Sequence, residues 1–476
     1  MLIDRYPSID VFARVPQLAQ HTDPVLRHLD HLLEDEQLYR QIRADLGRRY
    51  PLTLVAGRHS TPGEAILRLL VVKHLYNWSY RDTVHLVADS LVLRWFCRIY
   101  FEAVPDASTL DRWARTIRPE SLQPLNDRVV ELARQAKVTK GRKLRIDGTV
   151  VETPIHYPID SSLLADGVRV LRRLIRRSKP MVSEQLTGVR DAFRSRLRTM
   201  RRGLQTLHRL RRRVGADKAE ERKEIYATLL AATAATVTQA TRIRDALQQV
   251  GGEAKATAQR LMAQIDHYLP LVQQVISQTQ RRVLEGKKIP AKEKIVSIFE
   301  PHTRIIPRYK GGADVEFGRM VVFDEVEGGI VTRFAVLEDK TAEQGQLAPA
   351  LEHHQQLFGR APRTVTGDRG VHAADNERVA RAAGVKHLVI PHSGVVSEAQ
   401  RARERSRPWR RYRWRAGMEG RVSSLRRDYG LRRCPGTPRR SRLGAGEEGF
   451  VRHLGWAVMA SNLRHIGQHM AAQEAA

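Results

Sequence analysis

The chain has 476 residues, 82 of them Lys or Arg against 52 Asp or Glu, for a formal net charge of +30. A field of that sign gathers polyanions, so nucleic acid leads over an anionic membrane surface as the partner; no segment approaches the roughly 20 apolar residues of a membrane helix. Two cysteines, Cys97 and Cys434, rule out a disulfide scaffold or a multi-Cys zinc site.

The N-terminus "MLIDRYPSID" lacks a basic, then apolar, leader pattern, so a cytoplasmic protein is expected. Neither a Walker-type phosphate loop nor a dinucleotide fingerprint occurs, which predicts an activity without a nucleotide cofactor. Residues 1–140 read as helical. "GEAILRLLVVKHLYNWSYRDTVHLVADSLVLRWFCRIY" carries apolar residues three and four apart, and "PDASTL" is a turn and N-cap feeding a short helix. Such helices can form a DNA reader or merely a supporting bundle. "KLRIDGTVV" alternates and is rich in β-branched residues, so 143–151 is a predicted strand. Long helices fill 161–289. Leu197, Met200, Leu204 and Leu207 form one seam; Ile265, Tyr268, Val272 and Val275 form another. Pro270 inside the second predicts a kink or break. Residues 194–213 hold nine arginines and no acid, which points to a backbone-binding arm including Arg201, Arg202, Arg211 and Arg212.

Beyond residue 295, "FGRMVVFDEVEGGIVTRFAVLED" is two β runs joined through Glu327-Gly328-Gly329, a hairpin. A helix, the strand "RTVTGD", a helix, the strand "VKHLVIP", an Arg-rich helix after Pro408 and a last amphipathic helix follow. With the insert set aside, this is a mixed α/β sheet with helices on its faces, in an RNase H-like order. The expected organisation is a helical DNA-binding domain (1–140), a catalytic core (141–160 with 295–445), a coiled-coil-like helical insertion (161–294) and a C-terminal helix (446–476).

Asp147 lies inside the first strand and Asp368 at the carboxyl end of a later one, where α/β sheets bind ligands. Two carboxylates side by side repel unless a cation lies between them, and oxygen donors suit Mg²⁺ or Mn²⁺. Two such ions could serve phosphoryl transfer. In "RYRWRAGMEGRVSSLRR", Tyr412, Arg415, Glu419 and Arg426 fall within roughly 60° of one another around a helix. Glu419 is then a third ligand on a face that grips DNA, with Trp414 exposed for stacking on a DNA end. Among the 52 acids, Asp160, Asp324, Glu325 and Asp375 are the main competitors, and His465 with His469 could form a helix-face metal pair.

The spacing Tyr412-x2-Arg415-x3-Glu419-x6-Arg426 resembles the signature around the last acid of DDE-type insertion-sequence transposases, with arginine where that family usually has lysine. "RIDGTVVETPIHYPIDSSLL" and "VTGDRGVHAADN" resemble its first- and second-acid segments, and "VSIFEPHTRIIPR" the ISNCY-type branch. The resemblance implies an enzyme that binds the terminal inverted repeats of its own element, cuts them with Mg²⁺ and joins the freed 3′-hydroxyl to target DNA. Catalytic metal ligands would be Asp147, Asp368 and Glu419, with Tyr412, Arg415 and Arg426 on the DNA. A bacterial, nucleoid-associated protein and a homodimer or higher assembly on double-stranded DNA would follow. The alternatives are a structure-specific nuclease or resolvase on the same fold, and a non-catalytic DNA-binding descendant of a transposase.

Overall fold

A computed structural model describes residues 1–6, 22–49, 52–56, 59–186, 189–210, 218–307, 315–338, 343–412, 416–434 and 446–476. The chain divides into two compact units, one formed by Met1–Glu152, Arg319–Pro435 and Glu448–Ala476, the other by Thr153–Gly318 and Gly436–Glu447. Among the described residues no helix is long and apolar enough to cross a membrane.

The first unit opens with helices α1 (Pro24–Leu32), α2 (Glu36–Gly47), α3 (Gly63–Leu75), α4 (Tyr80–Asp89), α5 (Leu91–Phe96), α6 (Ala107–Ala114) and α7 (Leu122–Gln135). Most of their starts are set by short polar side chains, α3 and α7 excepted. Asp106 accepts from the backbone N–H of Ser108 and Thr109 at 2.8 and 3.0 Å, and Ser79 with Asp82 closes a capping box on α4, each such cap stabilising its helix by about 1 kcal/mol. Every residue of α3 is buried, so its charged side chains need partners. Arg68, with no exposed surface, donates to Asp30 at 2.6 Å, to Glu64 at 3.1 Å and to the Phe96 carbonyl at 3.0 Å.

The sheet follows: β1 (Lys143–Glu152), β2 (Arg304–Pro307), β3 (Val315–Val326), β4 (Ile330–Leu337), β5 (Thr364–Gly367) and β6 (His387–Val389). The order is β2-β3-β1-β5-β6, with β4 also on β3. β3 and β4 are antiparallel, Val326 opposite Ile330, across the predicted hairpin. Gly328 and Gly329 take positive φ of 86° and 73°, and a Cβ at Gly328 would stand 2.4 Å from the Val138 carbonyl, so only glycine turns there. β1 pairs with β5 and β5 with β6 in parallel. Arg145 meets Glu325 while the Thr153 N–H meets the Phe317 carbonyl; β1 and β3 therefore run in opposite directions. The fold is mixed α/β with one six-stranded mixed sheet.

Around it lie α12 (Leu347–Phe358), α13 (Asn376–Ala382), α14 (Glu398–Arg405), α15 (Arg407–Tyr412), α16 (Ala416–Asp428) and α17 (Gly446–Glu474). α16 and α17 cover one face of β1 and β3: Val151, Val321 and Phe323 share a core with Leu425, Tyr429, Phe450 and Leu454. Gly455 and Gly467 of α17 allow close approach, since a Cβ at either would meet Leu122 or Leu29 within 2.7 Å.

In the second unit, α8 (Asp160–Val182), α9 (Leu197–Leu210), α10 (Lys218–Gln248) and α11 (Lys255–Thr279) form a bundle. Its core includes Leu171 and Ile175 of α8, Leu229 and Ile243 of α10, and Ile265, Val272 and Val275 of α11. Both predicted seams face inward. Of the kink or break expected at Pro270, a break does not occur. α11 runs through it, held on either side by buried Leu269 and Val272, whose burial outweighs one missing backbone bond. β2 pairs with Val315–Gly318 at the start of β3.

Several histidines are buried in the first unit, which makes its stability pH-dependent. Burial pushes His453 down to about 3, and His354 and His465 down to about 4. These groups stay neutral in the fold but charge near pH 6.5 once unfolded. Stability is therefore full above the unfolded value and falls as pH drops from about 6.5 toward 4. Urea unfolding between pH 8 and 4.5 should show a midpoint that is level to about pH 7 and then declines steeply, with more than one proton taken up per unfolding event. A level midpoint down to pH 5 would contradict the neutral burial of these rings.

Candidate active site

The parallel register of β1 and β5 decides which side chains meet. Arg145 lies opposite Thr366 and Ile146 opposite Gly367, so the next step along both strands sets Asp147 beside Asp368. Neighbouring strands are about 4.8 Å apart, and matching steps share a face of the sheet. Both acids are half-buried. Asp368 ends its strand and turns the chain, its Oδ1 accepting from the Gly370 N–H at 2.7 Å.

A residue that the sequence did not single out underlies the pair. Glu343 is 3 % exposed. A Cβ added at Gly148 would lie 1.7 Å from its Oε1, and one at Gly370 would lie 2.4 Å from its Oε2. The glycines after Asp147 and two after Asp368 thus make room for one carboxylate, and only glycine fits both places. Because side chains alternate along β1, the Gly148 position points away from the face that carries Asp147. No local pattern in "KTAEQG" announces this; the contact exists only after the sheet forms.

Glu419 is on the first turn of α16, exposed, with no hydrogen bond or ion pair to a described residue. Leu425 packs in the same core as Val151, and Arg426 Nη2 stands 3.7 Å from Glu152 Oε1. Six residues earlier, Glu419 lies about 9 Å back along the helix axis, toward the Asp147 end of β1. What holds α16 there is a buried polar chain. Arg145 Nε donates to Glu325 at 2.9 Å. Arg421, 5 % exposed, faces Glu325 and donates to Asn462 Oδ1 at 3.2 Å and to the His465 ring at 3.0 Å. Burial raises the Glu325 carboxyl and lowers the Arg421 guanidinium, each opposed by its partner's charge. The chain ties β1, β3, α16 and α17 together on the face that Asp147 shares.

As the side chains stand, no three His, Cys, Asp or Glu among the described residues are grouped to hold a metal ion. The sheet brings two of the three predicted acids together, and α16 packs the third along the same strand without closing the group. The donors themselves are hard carboxylate oxygens at a half-open edge, which fits Mg²⁺ or Mn²⁺ chemistry. The competing acids are engaged elsewhere: Asp324 with Arg333, Glu325 with Arg145, Asp375 with Arg378 and Asp160 with Arg282. His465 turns to Arg421 and His469 to Gln473, so they form no metal pair.

Of the expected Arg-rich helix, α15 and α16 are described as helical. Arg415 and Trp414 between them, like Arg211 and Arg212, lie outside the described residues. Tyr412 stacks on His387 of β6, ring centroids 3.8 Å apart, so its ring packs within the protein. Arg201 and Arg202 are exposed on α9.

Comparison with known proteins adds a family relation at the N-terminal end. Residues 14–116 match the family described as Transposase domain (DUF772). A Rhizobium meliloti protein, "Uncharacterized protein ORF8 in nfe locus", is 30% identical over 129 residues, which cover 26% of this chain and 61% of that protein. The chain thus spans about three-fifths of the length of that curated relative. No solved structure matches the chain. Through residues 14–116 the chain is similar to the transposase-domain family.

Proposed function

We propose that the protein is a DDE-type transposase of the ISNCY-type branch, with an RNase H-like catalytic core that binds the ends of its own element and cuts and joins DNA. The observation that carries this reading is the β1–β5 register, which pairs Ile146 with Gly367, the residues just before Asp147 and Asp368, while α16, bearing Glu419, packs on β1. The strand order, three antiparallel strands followed by a parallel pair around β1, supports the core assignment. The transposase-domain match at 14–116 and the +30 charge support DNA as the partner.

Asp147, Asp368 and Glu419 would hold one or two divalent ions. Held there, they would supply Lewis-acid stabilisation of charge on the attacking and leaving oxygens. The chain's own part is to seat the scissile phosphate over the paired aspartates and to bring Glu419 in from α16. Arg426 is poised to exchange its 3.7 Å contact with Glu152 for a phosphate, and Arg415, four residues before Glu419 in sequence, would add a second cation. Water opens the phosphodiester at the element's end, and the 3′-hydroxyl left behind attacks target DNA.

A second reading, a DNA-binding protein without catalysis, draws on Glu419 being exposed and ungrouped. A nuclease that cuts but does not join would need no particular end sequence. Incubating the full chain with its element's end and a target plasmid in Mg²⁺ separates the three. Cleaved ends with joined products support transposition, cleavage alone supports the nuclease, and binding alone supports the second reading.

Binding to duplex DNA should weaken steeply with salt, since each neutralised phosphate contributes a slope of about −0.9 in log K against log salt. Fluorescence anisotropy across a potassium chloride series should give a slope of several units. A slope near zero would mean that the charge is not used on DNA.

A further inference from the structure

The helical bundle carries a basic pocket of its own. Arg172, Arg176 and Lys179 recur at four- and three-residue steps on α8, so they share one helix face. Arg194 and Arg196 approach from the segment leading into α9, and Thr236 and Gln239 of α10 add to the lining, enclosing about 150 Å³. Among the described residues no acidic side chain lines this space. None of the five cations forms an ion pair with a described residue. Asp191, outside the lining, is the carboxylate that Arg196 feels most, and Gln239 spends its amide N–H₂ on the Asp191 carbonyl.

Arg196 Nη1 is buried and has no hydrogen-bond partner among the described residues. A buried donor left unsatisfied costs about 1–3 kcal/mol, and it lies among like charges that repel it. Burial and the adjacent Arg194 both disfavour the charged form of Arg196. One small anion with several acceptor oxygens would relieve all of these at once: it would satisfy the buried donor, neutralise the cluster and fit the planar guanidinium fork. A carboxylate offers two oxygens; a phosphate offers more and suits a lining of five cationic side chains better.

We propose that this pocket seats a phosphate group of the DNA backbone and so anchors the bundle to the nucleic acid, resting on the reading that the chain binds DNA. The test uses the full chain, a fluorescent duplex of arbitrary sequence in a salt series, and separate calorimetric titration with inorganic phosphate. R176Q, R196Q and R196K are compared with the parent, with thermal unfolding as a check on folding. R176Q and R196Q should each weaken duplex binding several-fold and together lower the salt slope by about 1. R196K keeps the charge but loses the fork, and should still bind several-fold more weakly. Glutamine variants with unchanged affinity and slope overturn the proposal. So does R196K behaving as the parent, which would reduce the pocket to a diffuse field. Inorganic phosphate bound by the parent and lost in R196Q, with duplex binding unchanged, assigns the pocket to free phosphate and overturns the backbone assignment. A parent chain with no affinity for the duplex at any salt overturns the proposed function itself, an outcome distinct from a variant effect.

Discussion

Asp368→Asn should abolish DNA strand cleavage while leaving duplex binding within about twofold of the parent. Asparagine keeps the Oδ1 that accepts the Gly370 N–H at 2.7 Å, so the turn after β5 survives and the fold is not at issue. What is lost is the negative charge and one ligand oxygen beside Asp147. Metal-assisted charge stabilisation is worth several kcal/mol, and each 1.4 kcal/mol is tenfold in rate, so the expected loss is on the order of 10³-fold. Asp147→Asn should match it. The two together should cost little more than either alone, because groups that act as a unit are not additive. Asp375→Asn is the control: it sits near Asp368 in sequence but is exposed and paired with Arg378, and it should cut as the parent does. The readout is single-turnover cleavage of a labelled element end in Mg²⁺, with anisotropy for binding. A D368N chain that cuts at the parental rate removes the site assignment. Glu419→Gln supplies the third comparison, and an unimpaired E419Q would leave the two aspartates with a different third partner.

Most of the sheet was legible from residues because its strands carry local signals; the four-residue β2 was not. "KLRIDGTVV" and the Glu327-Gly328-Gly329 turn state their conformation in their own composition, and β1 and the β3–β4 hairpin follow within a residue or two. The seams of the bundle were legible for the same reason, since helical periodicity reports which side is buried. At Pro270 the helix continues because packing from both sides offsets the missing backbone bond. The pairing of Asp147 with Asp368 needed one more step, the knowledge that β1 and β5 are neighbours, which no window of sequence contains. Glu343 and the Arg145–Glu325–Arg421 chain were not legible at all. Their partners are remote along the chain, 180 residues for Arg145 and Glu325, and nothing in a buried arginine's neighbours announces that it will be paired. Fifty-two acids offered too many choices; the fold reduces them by committing Asp324, Glu325, Asp375 and Asp160 to arginines.

Breaking the Arg145–Glu325 pair should be the costliest single change in the first unit's polar interior. Arg145 is 5 % exposed and Glu325 wholly buried. Arg145→Met leaves the carboxylate with only Arg421 for company, and removing one member of a buried pair costs about 3–5 kcal/mol. Glu325→Gln leaves two guanidiniums facing an amide and should lose a comparable amount. Burial already raises the Glu325 carboxyl despite its partner. In R145M it rises further, above the value in the unfolded chain, so part of the loss is recovered as pH falls and the group protonates. The double variant R145M/E325M removes both charges and fills the space with apolar volume; it should regain most of the stability, since well-packed apolar replacements of buried pairs are often neutral. Urea unfolding at pH 7 and 5.5 measures all three. Cleavage is the second readout, because Arg421 reads Glu325 on one side and Asn462 and His465 on the other, and Arg421 stands two residues from Glu419 on α16. A double variant that is stable yet cuts poorly identifies the buried chain as the positioning element for Glu419. One that is stable and fully active restricts the pair to holding the fold, and single variants that lose less than about 1 kcal/mol would show that the pair is not buried as described here.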